Sequence, residues 1–207
     1  MMVDTVAATK SAALALADER SLMRQGYQFL DEKRMLLAAE MLRVLKQHAT
    51  LSGLLAQAQD LARGALIAAL QRHGLEGLQA YPPARFTPVA PQLTPSAFLG
   101  VRMVSAVFEP QAVVGPACDN EALDASPEAN RCRYAMLSLL PLLAQLAVCS
   151  ANLERLAAEY RRTERRAKAL ENVLLPEIES ALATIEGRLE LGDQEEALRI
   201  RLVGRRR

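Results

Sequence analysis

LADERSLMRQGYQFLDEKRMLLAAEMLRVLKQHATLSGLLAQAQDLARGA, residues Leu16 to Ala65, places an apolar side chain at every seventh position: Leu16, Met23, Leu30, Leu37, Val44, Leu51, Ala58 and Ala65. Tyr27, Met41, Leu55 and Ala62 each follow a member of that row by four residues. On an α-helix this spacing gathers the apolar residues into one narrow stripe, and a stripe sustained over several heptads is the seam of a coiled coil. Arg20, Arg34 and His48 fall on the same stripe, where long basic side chains are expected to snorkel outwards or to fix register. At ~1.5 Å per residue the quoted stretch predicts a rod of roughly 75 Å, too long to wrap inside one compact domain of this size.

A second helical pattern runs from about Ala129–Tyr134 to about Leu202. Its seam reads Leu146, Cys149, Leu153, Leu156, Tyr160, Thr163, Ala167, Leu170, Leu174, Ile178, Leu182, Ile185 and Leu189. The steps alternate between three and four up to Leu170, then become successive fours, as a stutter in the heptad repeat would produce. Pro176 stands at that change and is expected to bend the helix without ending it. Two long amphipathic helices of this kind complete each other by packing antiparallel, although pairing between chains satisfies the same seams.

Composition agrees with helix seams. Hydrophobic residues make up 51% of the 207-residue chain but aromatics only 4%, with no Trp, so the apolar content is mostly Leu and Ala, the best helix formers. The formal net charge of +1 gives no general attraction to nucleic acid or anionic membranes. Charge is banded locally: Arg155–Lys168 holds six basic against two acidic residues, Glu171–Glu196 eight acidic against Arg188 alone, and the tail from Arg199 to Arg207 is basic again. Cys118, Cys132 and Cys149 form no CxxC pair and read as reduced thiols of a cytosolic protein. The N-terminus lacks the pattern of a secretory signal, and the apolar run Tyr134–Cys149, broken by Pro141 and Gln145, is short of the ~18 to 20 residues a span requires.

Between the helices the texture changes. Eight of the ten prolines lie between Pro82 and Pro127, which excludes a long helix. Val101–Phe108 reads as a strand, with a weaker strand around Arg85–Val89 as its hairpin partner. The expected fold is therefore mainly α: a long antiparallel two-helix coiled coil of N- and C-terminal helices, with a small Pro-rich insert carrying a short β-hairpin. The expected divisions are residues 1–75, 76–130 and 131–207.

No chemistry-bearing motif stands out. The chain has no GxxxxGK[ST], no GxGxxG and no HExxH, and its two histidines, His48 and His73, are too far apart to suggest a metal cluster. Carboxylate pairs such as Glu195 and Glu196 sit on an exposed helix without the burial that tunes an acid and a base. No cofactor and no catalytic residue is expected. The basic cluster Arg161–Lys168 lacks interleaved aromatics and alternates with Glu159 and Glu164, against a nucleic-acid site.

Three segments carry a family resemblance. Thr9-Lys10, followed by Gly26-Tyr27-Gln28-Phe29-Leu30-Asp31-Glu32-Lys33-Arg34, resembles the first helix of the D subunit of V-type and A-type rotary ATPases. Arg165-Arg166-Ala167-Lys168-Ala169-Leu170-Glu171-Asn172-Val173-Leu174-Leu175-Pro176 is similar to that family's second signature, and Gly100-Val101 through Phe108-Glu109-Pro110 matches in placement. The resemblance implies a non-catalytic central rotor shaft, cytoplasmic and peripheral on the membrane, in a complex that makes ATP or spends it to move protons or sodium ions. It further implies as partners the hexamer of A and B subunits, the F subunit and the subunit capping the membrane ring, with no nucleic acid and no membrane insertion. Thr9, Lys10, Lys33, Arg34, Arg165, Arg166, Arg199 and Arg201 become candidate partner contacts. Leu16, Met23, Leu30, Leu37, Val44, Leu51, Leu153, Leu156, Leu170, Leu174, Pro176 and Leu182 become the structural seam. Two other readings are a coiled-coil stalk or scaffold of another assembly, which would not need the Pro-rich insert, and a coiled coil that binds nucleic acid through Arg161–Lys168.

Overall fold

The computed structural model describes residues 8–79, 92–107 and 126–204. In chain order these form helix α1 (Lys10–Gln79), strands β1 (Gln92–Phe98) and β2 (Val101–Val107), helix α2 (Pro127–Ala169), a π-helical turn (Leu170–Leu174) and helix α3 (Leu175–Gly204). The chain divides into two compact units. A terminal unit joins Met1–Leu36 to Tyr160–Arg207, and a middle unit comprises Leu37–Glu159. In each, the helices are antiparallel partners and their apolar stripes face one another.

The middle unit holds the most deeply buried side chains. Leu37, Val44, Leu55, Ala62 and Ala69 of α1 are buried, as are Cys149 and Leu156 of α2, while Leu51 and Leu153 are half-buried. Every one of these α1 positions continues the sevens and fours of the sequence. The Cys149 thiol donates to the Val44 carbonyl oxygen of α1 at 3.4 Å, and burial raises its pKa above the ordinary thiol value. Burial raises the Cys132 thiol in the same direction, and Cys118 lies outside the described residues.

At its far end α1 leaves helical geometry at Gly74, whose φ of +68° lies in the left-handed region that favours glycine. The two residues before it meet the start of α2. His73 Nε2 lies 2.6 Å from Ser126 Oγ, and Arg72 Nη1 lies 2.8 Å from Glu128 Oε2. Ser126 is the N-cap of α2, its hydroxyl accepting from the Ala129 N–H at 3.1 Å, and Pro127 follows in the first helical position, where its missing N–H costs nothing. Helix α2 thus begins slightly before the expected Ala129, at a Ser-Pro-Glu start.

Three paired glutamates give the helices an acid-sensitive component. The hydrogen bond from Arg43 holds Glu40 below the usual carboxylate range, and that from Lys168 does the same for Glu164. Glu128 is lowered first by its own backbone amide and then by Arg72. A carboxyl whose folded pKa is depressed contributes stability above its unfolded value of ~4.3, and that contribution is lost as pH falls through the folded value. The melting temperature should therefore be flat from about pH 7 to about pH 5 and fall below about pH 4; a circular-dichroism melt that rises on acidification would contradict this.

The insert forms an antiparallel hairpin, with Phe98 opposite Val101 and Gln92 opposite Val107. The partner strand is Gln92–Phe98 and not the expected Arg85–Val89, which lies outside the described residues. Pro95 on its own argues against a strand here, and the register explains why it is tolerated. Counting from the two-residue turn at Leu99–Gly100, Pro95 and Val104 form a pair that exchanges no ladder bonds, so the missing N–H leaves nothing unpaired. Both turn residues have positive φ, 48° at Leu99 and 86° at Gly100, as a type I′ hairpin turn requires.

The same register turns the N–H and C=O of Val104 away from β1. Asn152 on α2 takes both: its Oδ1 accepts from the Val104 N–H at 3.0 Å and its Nδ2 donates to the Val104 oxygen at 2.7 Å. The side-chain amide thereby acts as one residue of a third strand. Arg155 Nη1 adds a bond to the Arg102 oxygen at 3.3 Å, and Val101 and Met103 are buried on the docked face. Asn152→Leu would leave the two Val104 groups without partners beside an apolar side chain, a cost of about 1–3 kcal/mol. The expected outcome is faster hydrogen exchange at the Val104 amide with α1 and α2 unaltered, and unchanged exchange there would refute the docking role.

In the terminal unit the seam residues Leu16, Met23, Leu30 and Leu170 are half-buried, and Thr163, Ala167, Ile178, Leu182 and Ile185 are buried. Leu174 departs from the expected seam. It is 38% exposed, while Leu175 beside it is half-buried. The π-turn is the reason: the Leu175 N–H bonds to the Leu170 oxygen five residues back, so this turn holds one more residue than an α-turn. The inward row then runs Leu170, Leu175, Ile178, Leu182, Ile185, Leu189, with threes and fours resumed one residue later. The successive fours in the sequence mark a single extra residue, taken up in one turn, with Pro176 immediately after it.

Candidate functional site

In the terminal unit Thr9 caps α1, its Oγ1 accepting from the Ala12 N–H at 3.2 Å, and Lys10 is exposed in the first turn. The two helices approach closely at Gly26, where an added Cβ would lie 4.0 Å from Leu170 Cδ1. Beside this contact the Glu171 carboxylate raises the pKa of the Tyr27 phenol above its ordinary value. Arg24 and Glu179 form an ion pair across the helices at 2.7 Å, Arg34 pairs with Asp31 at 2.6 Å, and Lys168 with Glu164 at 2.9 Å. Arg34 is thus partly engaged by its own helix, whereas Lys33 is half-buried. Arg165, Arg166, Arg199 and Arg201 are all exposed.

The middle unit contains a cleft of about 550 Å³ bounded by α1, β2 and α2, with Arg43, Met103, Cys149 and Asn152 among its lining. Each of the three polar groups named there is already engaged. Asn152 holds Val104, Cys149 donates to Val44, and Arg43 makes a two-point contact with Glu40 at 2.6 and 2.8 Å. No group of three or more metal-ligating side chains occurs among the described residues, and the hydroxyl that lies beside a base, Ser126 Oγ at 2.6 Å from His73 Nε2, is engaged as the N-cap of α2. The geometry is that of surfaces and seams.

Within the Pro127–Gly204 helical stretch one 18-residue window reaches a mean hydropathy of 1.7, so length and composition alone admit a span, although the broken run Tyr134–Cys149 by itself is too short. Those two properties are shared by helices that pack in protein, and Cys149 of that run is itself buried in the seam.

The family model that describes the D subunit of ATP synthase matches residues 12–205. The chain belongs to that family. The matched range takes in the Gly26–Arg34 and Arg165–Pro176 signatures, while Thr9 and Lys10 lie just outside it. Relatives of similar length include the V-type ATP synthase D subunit numbered 2 in Treponema pallidum, 30% identical over 94% of this chain and 91% of that one. The V-type ATP synthase D subunit of Thermotoga neapolitana is 27% identical over 95% and 96%, and that of Anaeromyxobacter dehalogenans strain 2CP-1 is 32% identical over 94% and 93%. Within this D-subunit chain, two structural residues escape a reading of the sequence. Asn152 gives as its only signal a polar residue one place from a seam leucine, and Ser126 could have been found from the Ser-Pro-Glu order.

Proposed function

We propose that this member of the D-subunit family is the central-stalk rotor of its rotary ATPase, transmitting torque between the hexamer of A and B subunits and the membrane ring that moves ions. The observation that carries the reading is the register of the paired helices, kept in each unit and carried through the π-turn. Paired helices resist bending and twisting better than one, and a surface that differs around the shaft favours a different conformation in each surrounding catalytic site as it turns. The rotor itself is non-catalytic, cytoplasmic and peripheral on the membrane, with nucleotide chemistry on its neighbours. The exposed Lys10, Arg165, Arg166, Arg199 and Arg201, together with Thr9, Lys33 and Arg34, are its contacts to the hexamer, the F subunit and the ring-capping subunit.

The test is co-purification. The tagged chain should bring down A, B and F subunits from its native membrane extract, and recovery without any of them would sink the reading.

A further inference from the structure

Two adjacent leucines compete for one place in the seam of the terminal unit. From Leu170 the inward row can continue through Leu174 to Ile178, as the spacing of the sequence reads, or through Leu175 to Ile178, as the structure has it. Ile178 follows Leu170 by eight residues, and two helical turns must span them. One α-turn of ~3.6 residues and one π-turn, which holds an extra residue, fill the interval. Two turns underwound to about 4 residues each fill it equally well, and that is a stutter spread along the helix. Both paths return to Ile178, Leu182 and Ile185, which are buried.

The side chain that enters the seam is leucine on either path, so the apolar transfer term is the same for both and the backbone sets the balance. Pro176 weights it. In continuous α geometry its ring crowds the oxygen of Asn172, four residues back, and it has no N–H to offer that oxygen. The π-turn bonds the Leu175 N–H to the Leu170 oxygen and is the form observed, with Leu175 half-buried and Leu174 left outside. The facing helix favours neither leucine. Gly26, where an added Cβ would lie 4.0 Å from Leu170 Cδ1, brings no side chain to this level. Met23, the next seam residue of α1 in the direction that α3 runs, is unbranched, half-buried and able to pack against either one.

We propose that Leu170–Ile178 is a two-state twist element, in which the π-turn exchanges with a stutter spread over two turns and Leu174 replaces Leu175 in the seam. The exchange rotates the residues between Leu170 and Ile178 by one helical position, ~100°, while both end residues stay inward. In the π form the extra residue is confined to one turn, and the coil on either side keeps its ordinary left-handed winding. In the spread form the coil unwinds locally. The pair of helices thereby changes its twist between two packed arrangements without opening its seam, as close-packed interfaces do in place of deforming continuously. The exchange belongs to the paired helices alone, so it goes beyond the rotor reading and does not rest on it.

The experiment is a set of circular-dichroism melts of the full chain carrying Leu174→Ser, Leu175→Ser or both, with Leu175→Ser repeated in the chain lacking Asn172, where only Leu175 can reach the seam. Because Leu174 takes the vacated place, Leu175→Ser alone should lower the melting temperature by no more than about 2 °C and Leu174→Ser by less, whereas the two together should lower it by about 5 °C or more. In the chain lacking Asn172, Leu175→Ser by itself should cost about as much as the pair does in the parent. Adding Pro176→Ala should reverse the order of the single substitutions, making Leu174→Ser the more costly, which simple contact between neighbouring leucines does not do. A loss from Leu175→Ser equal to that of the pair, an equal loss from it with and without Asn172, or an order left unaltered by Pro176→Ala would show that the π-turn is the sole form and overturn the proposal. The comparison with the pair and that with Pro176→Ala decide the matter even if the chain lacking Asn172 does not fold.

Discussion

Leu156→Ala should lower the stability of the middle unit by about 2–5 kcal/mol, the range for removing a fully buried leucine from a packed core. Leu156 is 0% exposed, and so is Leu37 on the same unit's α1, so neither can collapse outwards to relieve the change. Leu153, three residues earlier, is only half-buried and should cost less when truncated. Urea unfolding followed by circular dichroism would measure both. Equal small losses at the two positions would mean that the seam is not the core of this unit.

The second large effect concerns register. Deleting Asn172 removes the extra residue where the π-turn holds it, and the helix should close to ordinary α geometry with every seam residue on either side still facing inwards. Deleting Arg162, roughly three turns upstream, should instead swing Thr163, Ala167 and Leu170 off the seam by about 100°. Thr163 and Ala167 are each 2% exposed, so the second deletion exposes buried surface and the first does not. The expected result is a melting temperature close to that of the parent chain for the Asn172 deletion and one lower by several degrees for the Arg162 deletion. Reversed outcomes would show that the π-turn has another origin, Pro176 being the first to examine through Pro176→Ala.

The contrast between those two deletions also shows what the sequence reveals and where it stops. The seams are legible because a period of sevens and fours depends only on residue identity along one helix. The irregular spacing after Leu170 is legible too, but its structural form is not: a stutter shared over several turns and a single π-turn fit the same letters, and only the exposure of Leu174 and the Leu170–Leu175 bond separate them. Strand β1 is hidden for a related reason. Pro95 is forbidden or harmless in a strand according to the pairing register, which one strand cannot disclose. Thr9, by contrast, stands out in the sequence for its place in a family signature and caps α1 as well.

The rotor claim is tested most directly by watching the shaft turn. With the A/B hexamer fixed to a surface and a probe attached to this chain, ATP addition should drive repeated rotation of the probe in one direction, and rotation should stop when ATP is removed. Steady ATP hydrolysis by the hexamer with the chain bound and its probe stationary would contradict the account.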